Sequence, residues 1–160
     1  MKTLVLGLGN PILTDDGVGI YVVRAAARAA QHGAHVTFAE ASVGGVRLLE
    51  VMAGYERVVI VDAIRTPGGT PGAVYRLGPG DVRASLHAGS THDLSLPGAL
   101  ALGRGVGLSL PADKEMVIIA IEVEDVLTFG EACTQAAAGA IPRAVQEVLA
   151  VVRTGPEKGA

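Results

Sequence analysis

Three uninterrupted apolar runs divide the chain into candidate strands separated by helical segments. The runs cover residues 2–8, 57–63 and 115–121. Continuous apolar positions, rather than alternating ones, are typical of strands that are buried on both faces of a sheet. Two shorter runs, 35–41 and 73–77, mix apolar and polar positions, and we predict that they are edge strands.

Between these runs the apolar residues recur at helical spacing. Helices are predicted at residues 16–31, 44–53 and 93–103, and along the apolar stripe from Ile141 to Val152. Gly33 is expected to end the first helix and Gly54 the second. Pro142 either opens the last helix or kinks it, because proline lacks the N–H that a helix interior requires.

Alternating strands and helices predict an α/β fold, with right-handed crossovers, a mostly parallel sheet and helices on both faces. The pattern predicts one domain over residues 1–153 and a disordered tail over 154–160. In such folds, ligands bind beyond the carboxyl ends of the strands. The loops that should meet at this rim follow residues 8, 41, 62 and 121.

Composition narrows the range of partners. The net charge is −3, without a block of like charges, so neither a nucleic-acid backbone nor an anionic membrane is an expected partner. The single cysteine, Cys133, excludes an intrachain disulfide. No apolar stretch reaches the 18 or so residues of a membrane span, and the amino terminus does not resemble a signal peptide, so a cytoplasmic location is predicted.

The first chemical candidate is the segment Gly7–Pro11, followed by the acids of Asp15–Gly17. A dinucleotide-binding fingerprint would need a third glycine where Ile12 stands, so that interpretation fails. The acids precede a predicted helix, where a carboxylate interacts favourably with the positive end of the dipole. Thr14 or Asp15 is therefore expected to cap free helix N–H groups, which is the structural interpretation of this segment.

The second candidate is Asp62, which directly follows the apolar run Val58–Val61 and is therefore expected at the carboxyl rim. A buried acid there must be paired, bind a metal or become protonated. The alternative is a carboxylate that accepts backbone N–H groups of the following turn.

The third candidate is His92, in a small-residue loop next to Asp93, whose carboxylate can fix the imidazole tautomer. The alternative is a solvated loop histidine, and no function is assigned to His32, His35 or His87.

Two carboxylates and one imidazole at one rim would form a mixed oxygen and nitrogen site with open positions, which suits nickel or zinc. The sequence contains no H-E-x-x-H, C-x-x-C or G-x-S-x-G motif. Cys133 has no neighbouring base and is interpreted as a packing or surface residue.

Taken together, these motifs resemble the hydrogenase maturation protease family. The matching elements are a strand, Gly-x-Gly-Asn and an Asp-Asp pair before a glycine-containing helix across Leu4–Gly19; Asp62 at a strand end; Ser90–His92 before a helix; and the closing segments 121–125 and 141–145. The resemblance covers nearly the whole domain, in order. One departure is Glu40–Gly45, where the family commonly has Asp-Gly-Gly-Thr-x-Gly.

The resemblance implies a three-layer α/β/α fold with a mostly parallel five-stranded sheet. It also implies that Asp16, Asp62 and His92 are both the metal-contacting and the catalytic residues. The expected substrate is the precursor of a nickel-iron hydrogenase large subunit, in which inserted nickel is recognised before a C-terminal extension is removed. The enzyme itself would hold no permanent cofactor and would act as a monomer.

The sequence leaves alternatives open. In the mechanism, the ion polarises the scissile carbonyl or activates water, or one carboxylate is the general base and the metal only orients the substrate. A non-catalytic nickel-binding chaperone could use the same three residues. A peptidyl-tRNA hydrolase also opens with Gly7–Pro11, but it should then supply an Arg-His-Asn histidine and a basic surface, whereas this chain has Thr14–Asp16.

Overall fold

The computed structural model describes residues 1–31, 33, 35–42, 46–82 and 96–154. Within these ranges, five strands form one sheet in the order β2-β1-β3-β5-β4. They are β1 (Thr3–Leu8), β2 (Val36–Ala41), β3 (Arg57–Ile64), β4 (Val74–Leu77) and β5 (Met116–Glu122). Only β4 is antiparallel to its neighbour. The predicted mostly parallel sheet and its two edge strands are confirmed.

Helices cover both faces of the sheet. They are α1 (Val18–Ala29), α2 (Val46–Met52), α3 (Leu96–Gly105) and α4 (Gln135–Arg153). The core between the sheet and α1 and α4 is separate from the core between the sheet and α2 and α3, so the three-layer prediction holds. Pro142 lies inside α4, so the idea that it opens the helix is wrong. None of these helices is both long and apolar enough to cross a membrane.

Strands β3 and β5 are buried on both faces, as their continuous apolar runs predict. Val59 and Val61 point into the core with α1 and α4, whereas Val58 and Ile60 point into the core with α2 and α3. Each such side chain contributes roughly 1.5–3 kcal/mol through removal of apolar surface from water. Asp62 continues the Val58 and Ile60 face and therefore belongs to the side that α2 and α3 cover.

The amino end of α1 lies directly against the carboxyl ends of β1 and β3. A Cβ atom on Gly19 would lie 2.3 Å from the Val61 carbonyl oxygen and 2.7 Å from that of Leu8. The chain leaves β1 toward β2 on one side and later enters β3 on the other. The gap between β1 and β3 is thus the switch point of the sheet, where ligands of α/β folds bind.

We expect Gly19→Ala to lower the free energy of unfolding by about 1–3 kcal/mol, because the methyl group overlaps two carbonyl oxygens. Gly139→Ala in α4 is the matched control. Nothing lies within 4 Å of its Cβ position, so this change should raise stability by about 0.5–1 kcal/mol. Urea unfolding measures both changes, and equal shifts for the two variants would contradict the close approach of α1.

Candidate active site

Asp62 lies within β3 rather than after it, because Ile64 still pairs with Glu122 of β5. Its side chain is fully buried. Oδ1 accepts a hydrogen bond from the Ala63 N–H at 2.8 Å, whereas Oδ2 has no hydrogen-bond partner among the described residues. The alternative interpretation, a carboxylate satisfied by backbone N–H groups, therefore accounts for only one of the two oxygens.

The environment of Asp62 disfavours its negative charge. Burial raises the pKa of this carboxyl well above its usual range, the hydrogen bond from Ala63 lowers it, and the charge of Asp16 raises it further. A buried anion with an unsatisfied oxygen is costly unless a cation or a donor reaches it. The site is thus suited to a positively charged ligand.

Asp16 is held at the same rim by the turn that follows β1. Gly9 has φ +136°, and a Cβ atom there would lie 1.8 Å from the Asp16 carbonyl oxygen, so the turn requires glycine. The Asn10 N–H donates to Asp16 Oδ2 at 2.8 Å. The turn that carries Asp16 contacts β3, the strand of Asp62, and the charge of Asp16 adds to the rise in the pKa of Asp62. The structure thus brings together two of the three predicted residues.

His92, the third predicted residue, lies outside the described residues, as does Asp93. Within the described ranges, no three His, Cys, Asp or Glu side chains form a group that could hold a metal ion. The role of Asp16, Asp62 and His92 as metal ligands stays a prediction.

Asp15, next to Asp16 in sequence, has a structural role that differs from the predicted one. Oδ1 accepts from the Thr134 N–H at 2.7 Å, and Oδ2 accepts from the Thr134 hydroxyl at 2.9 Å and from the N–H groups of Glu124 and Asp125 at 3.2 Å each. The predicted capping of α1 by Thr14 or Asp15 is wrong, because α1 has Gly17 at its N-cap and no side-chain cap.

The partners of Asp15 belong to residues 123–134, which we call the rim loop. Backbone hydrogen bonds tie this loop to the turn after β1: Gly130 N–H to Ile12 O at 2.8 Å, Thr14 N–H to Gly130 O at 3.0 Å, and Asp15 N–H to Asp125 O at 2.9 Å. The Thr14 hydroxyl also donates to the Thr128 carbonyl. The rim loop therefore forms one wall of the site.

Glu122 is a third buried acid at the rim, and no role was predicted for it. It accepts hydrogen bonds from the Thr66 N–H, at 3.0 Å, and from the Thr66 hydroxyl, and the Tyr75 hydroxyl lies 3.5 Å away. Unlike Asp62, it is satisfied by the protein itself and fixes the loop after β3. Its position as the acid that ends β5 was the sequence signal that could have identified it.

Cys133 packs against the core beside α1 and α4, in agreement with its interpretation as a packing residue. It is half-buried, and burial together with the nearby charge of Asp15 raises the pKa of its thiol to about 11. Its Sγ lies 3.7 Å from the Thr14 carbonyl oxygen. A thiol with this pKa is almost entirely protonated near neutral pH.

Glu40, the first residue of the divergent segment, lies within β2 and forms an ion pair with Arg24 of α1 at 2.6 Å. Both side chains are exposed, so this acid acts at the surface rather than at the rim. Gly44 and Gly45 lie outside the described residues.

A cavity of about 390 Å³ lies at the other end of the sheet, next to Lys2, His35 and Tyr55. These residues precede β1, β2 and β3, so the cavity is at the amino ends of the strands. It is therefore separate from the site formed by Asp16 and Asp62.

The raised pKa of Asp62 predicts how stability depends on pH. In metal-free protein, the stability associated with protonated Asp62 is complete below its unfolded pKa of about 4 and is lost as pH rises through the higher folded value. The free energy of unfolding of Asp62→Asn should therefore increase relative to wild type from about pH 4 upward and then level off. Urea unfolding across pH, with Asp113→Asn as a surface control, measures this; a constant difference would contradict the burial of an unpaired carboxylate.

The hydrogen bonds of Asp15 predict a structural defect on its removal. Asp15→Asn replaces one acceptor with a donor that faces N–H groups, so the free energy of unfolding should fall by about 2 kcal/mol or more. In Asp81→Asn, the amide oxygen can still accept the single exposed hydrogen bond from the Gly78 N–H, so the free energy of unfolding should fall by about 1 kcal/mol or less. Thermal unfolding compares the two variants, and equal losses would show that Asp15 does not anchor the rim loop.

Comparisons with known proteins identify a family and a fold that this chain shares. A family model described as hydrogenase maturation protease matches residues 20–151. The Hydrogenase 2 maturation protease of Escherichia coli K12 is 29% identical over 154 residues, covering 96% of this chain and 92% of that protein. The hydrogenase expression/formation protein HupD of Rhodobacter capsulatus is 27% identical, covering 95% and 71%. The structure of the hydrogenase maturating endopeptidase HybD from E. coli matches with a TM-score of 0.80 at 30% identity, covering 96% and 93%.

Proposed function

Because the chain belongs to the hydrogenase maturation protease family, whose members are endopeptidases, we propose that it recognises nickel in a nickel-iron hydrogenase large-subunit precursor and removes the C-terminal extension. The nickel arrives with the substrate, and the enzyme holds no permanent cofactor. The observation that carries this proposal is Oδ2 of Asp62, which is buried and has no hydrogen-bond partner in the part of the chain that the structure describes.

A divalent cation would compensate the negative charge of the buried Asp62 carboxylate. The ion would pair with the buried carboxylate, lower its pKa and displace its proton. Asp16 supplies a second carboxylate at the same rim. Its Oδ2 accepts the Asn10 N–H, and its Oδ1 accepts no hydrogen bond from the described residues. His92 is the proposed third ligand.

This ligand set leaves coordination positions open for the substrate. Carboxylate and imidazole ligands suit nickel, and a divalent ion held there can polarise a carbonyl or lower the pKa of a bound water. Binding the precursor through its own nickel also places the scissile bond against a fixed rim, which supplies proximity and orientation. The enzyme would therefore select nickel-loaded precursor, because a precursor without nickel lacks the ion that pairs with Asp62.

The alternatives lose support in two ways. The peptidyl-tRNA hydrolase interpretation has no counterpart among the similar proteins reported above, and the catalytic histidine that it needs is absent from the segment Thr14–Asp16. The chaperone interpretation predicts binding without cleavage, and the family match to proteases argues against it.

Mass spectrometry of purified precursor incubated with this protein, with and without nickel, tests the proposal. We expect a shortened large subunit and a released C-terminal peptide only when nickel is present. Asp16→Asn and Asp62→Asn should each lower the initial cleavage rate by about 100-fold or more, since they remove a ligand or a base. Asp113→Asn, an exposed acid that pairs with Arg104, is the matched control and should cleave at the wild-type rate.

Three outcomes would contradict this assignment. Cleavage that does not require nickel would remove the proposed recognition step. Equal rates for Asp62→Asn and Asp113→Asn would place the site elsewhere. Stable nickel-dependent binding without any shortening of the precursor would instead indicate the chaperone.

A further inference from the structure

The rim loop exposes two large apolar side chains. Leu127 is 78% exposed and Phe129 is 80% exposed, and Ile12, in the turn that the rim loop contacts, is 47% exposed. Phe129 is one of only two phenylalanines in the chain. Folding does not account for their position, because these side chains remain in water. We call Ile12, Leu127 and Phe129 the apolar platform.

The backbone beneath the apolar platform is held in place. Asp125 Oδ1 accepts from the N–H groups of Leu127 at 3.0 Å and Thr128 at 2.9 Å. These hydrogen bonds lower the pKa of Asp125, the Thr128 N–H having the largest effect. The Thr128 carbonyl accepts from the Thr14 hydroxyl, and Gly130 pairs with Ile12 and Thr14. The apolar groups are therefore presented on a preorganised loop, which reduces the entropy lost on binding.

The apolar platform is continuous with the candidate site. Leu13 forms a parallel β-bridge with Gly130, and its carbonyl accepts the Asp16 N–H at 3.0 Å. Ile12 and Asp16 therefore belong to one short turn, with the rim loop attached to its middle. A protein whose metal ion contacts Asp16 therefore approaches the turn to which the rim loop is bonded.

Charge around the apolar platform indicates the chemistry of its partner. Glu124 and Glu131 are exposed at the two ends of the rim loop, and the ion pairs of the described residues do not include them. The positive charge of Arg65 acts on Asp125, but the three acids of the rim loop outnumber it, so the border stays acidic. An apolar centre with an acidic border complements an apolar segment flanked by basic residues.

We propose that the apolar platform is a docking surface for the hydrogenase large-subunit precursor, which seats an apolar segment with basic flanks next to its nickel-bearing part. This inference rests on the proposed function and adds a second contact to it. The metal contact senses whether nickel is present, and the apolar platform supplies affinity for the polypeptide. Rigid exposed aromatic and aliphatic side chains near the centre of an interface commonly dominate its binding energy.

The test measures binding and catalysis separately for the double variant Leu127→Ser, Phe129→Ser. Biolayer interferometry with immobilised nickel-loaded precursor should give a Kd at least about tenfold higher than wild type. KM should rise by a similar factor, while kcat stays within about twofold, since no metal ligand has changed. Phe129→Leu, which keeps an apolar side chain, should remain close to wild type.

Val106→Ser is the matched control, because Val106 is 70% exposed and follows the end of α3. That segment leads to Ser109, whose carbonyl accepts the Gly54 N–H near the amino-end cavity, so it is remote from the rim. Its Kd and KM should match wild type. All the replaced side chains are exposed, so the midpoints of thermal unfolding should also agree.

The outcomes separate this inference from the proposed function. If wild type cleaves the precursor but the double variant binds and cleaves as Val106→Ser does, the docking surface is disproved while the protease stands. If wild type binds the precursor without cleavage and the double variant loses that binding, the docking surface stands while the protease assignment fails. If sedimentation shows a wild-type dimer that the double variant abolishes, the apolar platform is a self-association surface and the proposal is overturned.

Discussion

The structure of the rim depends on the hydrogen bonds that the Asp15 carboxylate accepts. It gathers N–H groups from Glu124, Asp125 and Thr134, and the hydroxyl of Thr134, so that the turn after β1 and the loop after β5 become one unit. Parallel strands bring their carboxyl ends to the same edge, but the loops that follow are joined only by such contacts. Asp16 and the apolar platform are therefore presented together because Asp15 is buried beneath them.

Three buried acids near this edge show that burial alone does not identify a functional residue. Asp15 and Glu122 accept hydrogen bonds on both carboxylate oxygens and serve to fix loops. Asp62 is equally buried, yet its Oδ2 has no partner among the described residues. Since native proteins satisfy nearly all buried polar atoms, this oxygen is the candidate position for contact with a ligand. Hydrogen-bond satisfaction thus separates the structural acids from the candidate ligand.

The sequence predicted the sheet well because its strands are set by burial, which leaves a continuous apolar run such as 57–63. It also placed Asp62 correctly at the rim, since an acid that closes such a run must lie near the end of the strand. Local pattern did not give the partners of Asp15, which was expected to cap α1, because its acceptors are satisfied by residues more than 100 positions away. The choice of Asp16 rather than Asp15 as the metal-contacting acid came from the family resemblance. The start of α4 was predicted too late, near Pro142, because the stripe of large apolar residues begins there. In the structure, small residues such as Ala137 and Ala140 extend the buried face of α4 toward Gln135. Long-range contacts, unlike periodicity, leave no local pattern.

The shared turn has a consequence for the proposed reaction. An apolar surface alone would bind precursor whether or not nickel was inserted, and two carboxylates alone would bind a free ion as readily as one held in a polypeptide. The turn Ile12–Asp16 joins the metal contact to the apolar contact. Both contacts can therefore form at once only with a partner whose ion lies at a fixed distance from its apolar segment. Each contact can then be weak by itself, because the second forms intramolecularly once the first is made. Discrimination in favour of the nickel-loaded precursor thus follows from the rigidity of the turn rather than from the strength of either contact.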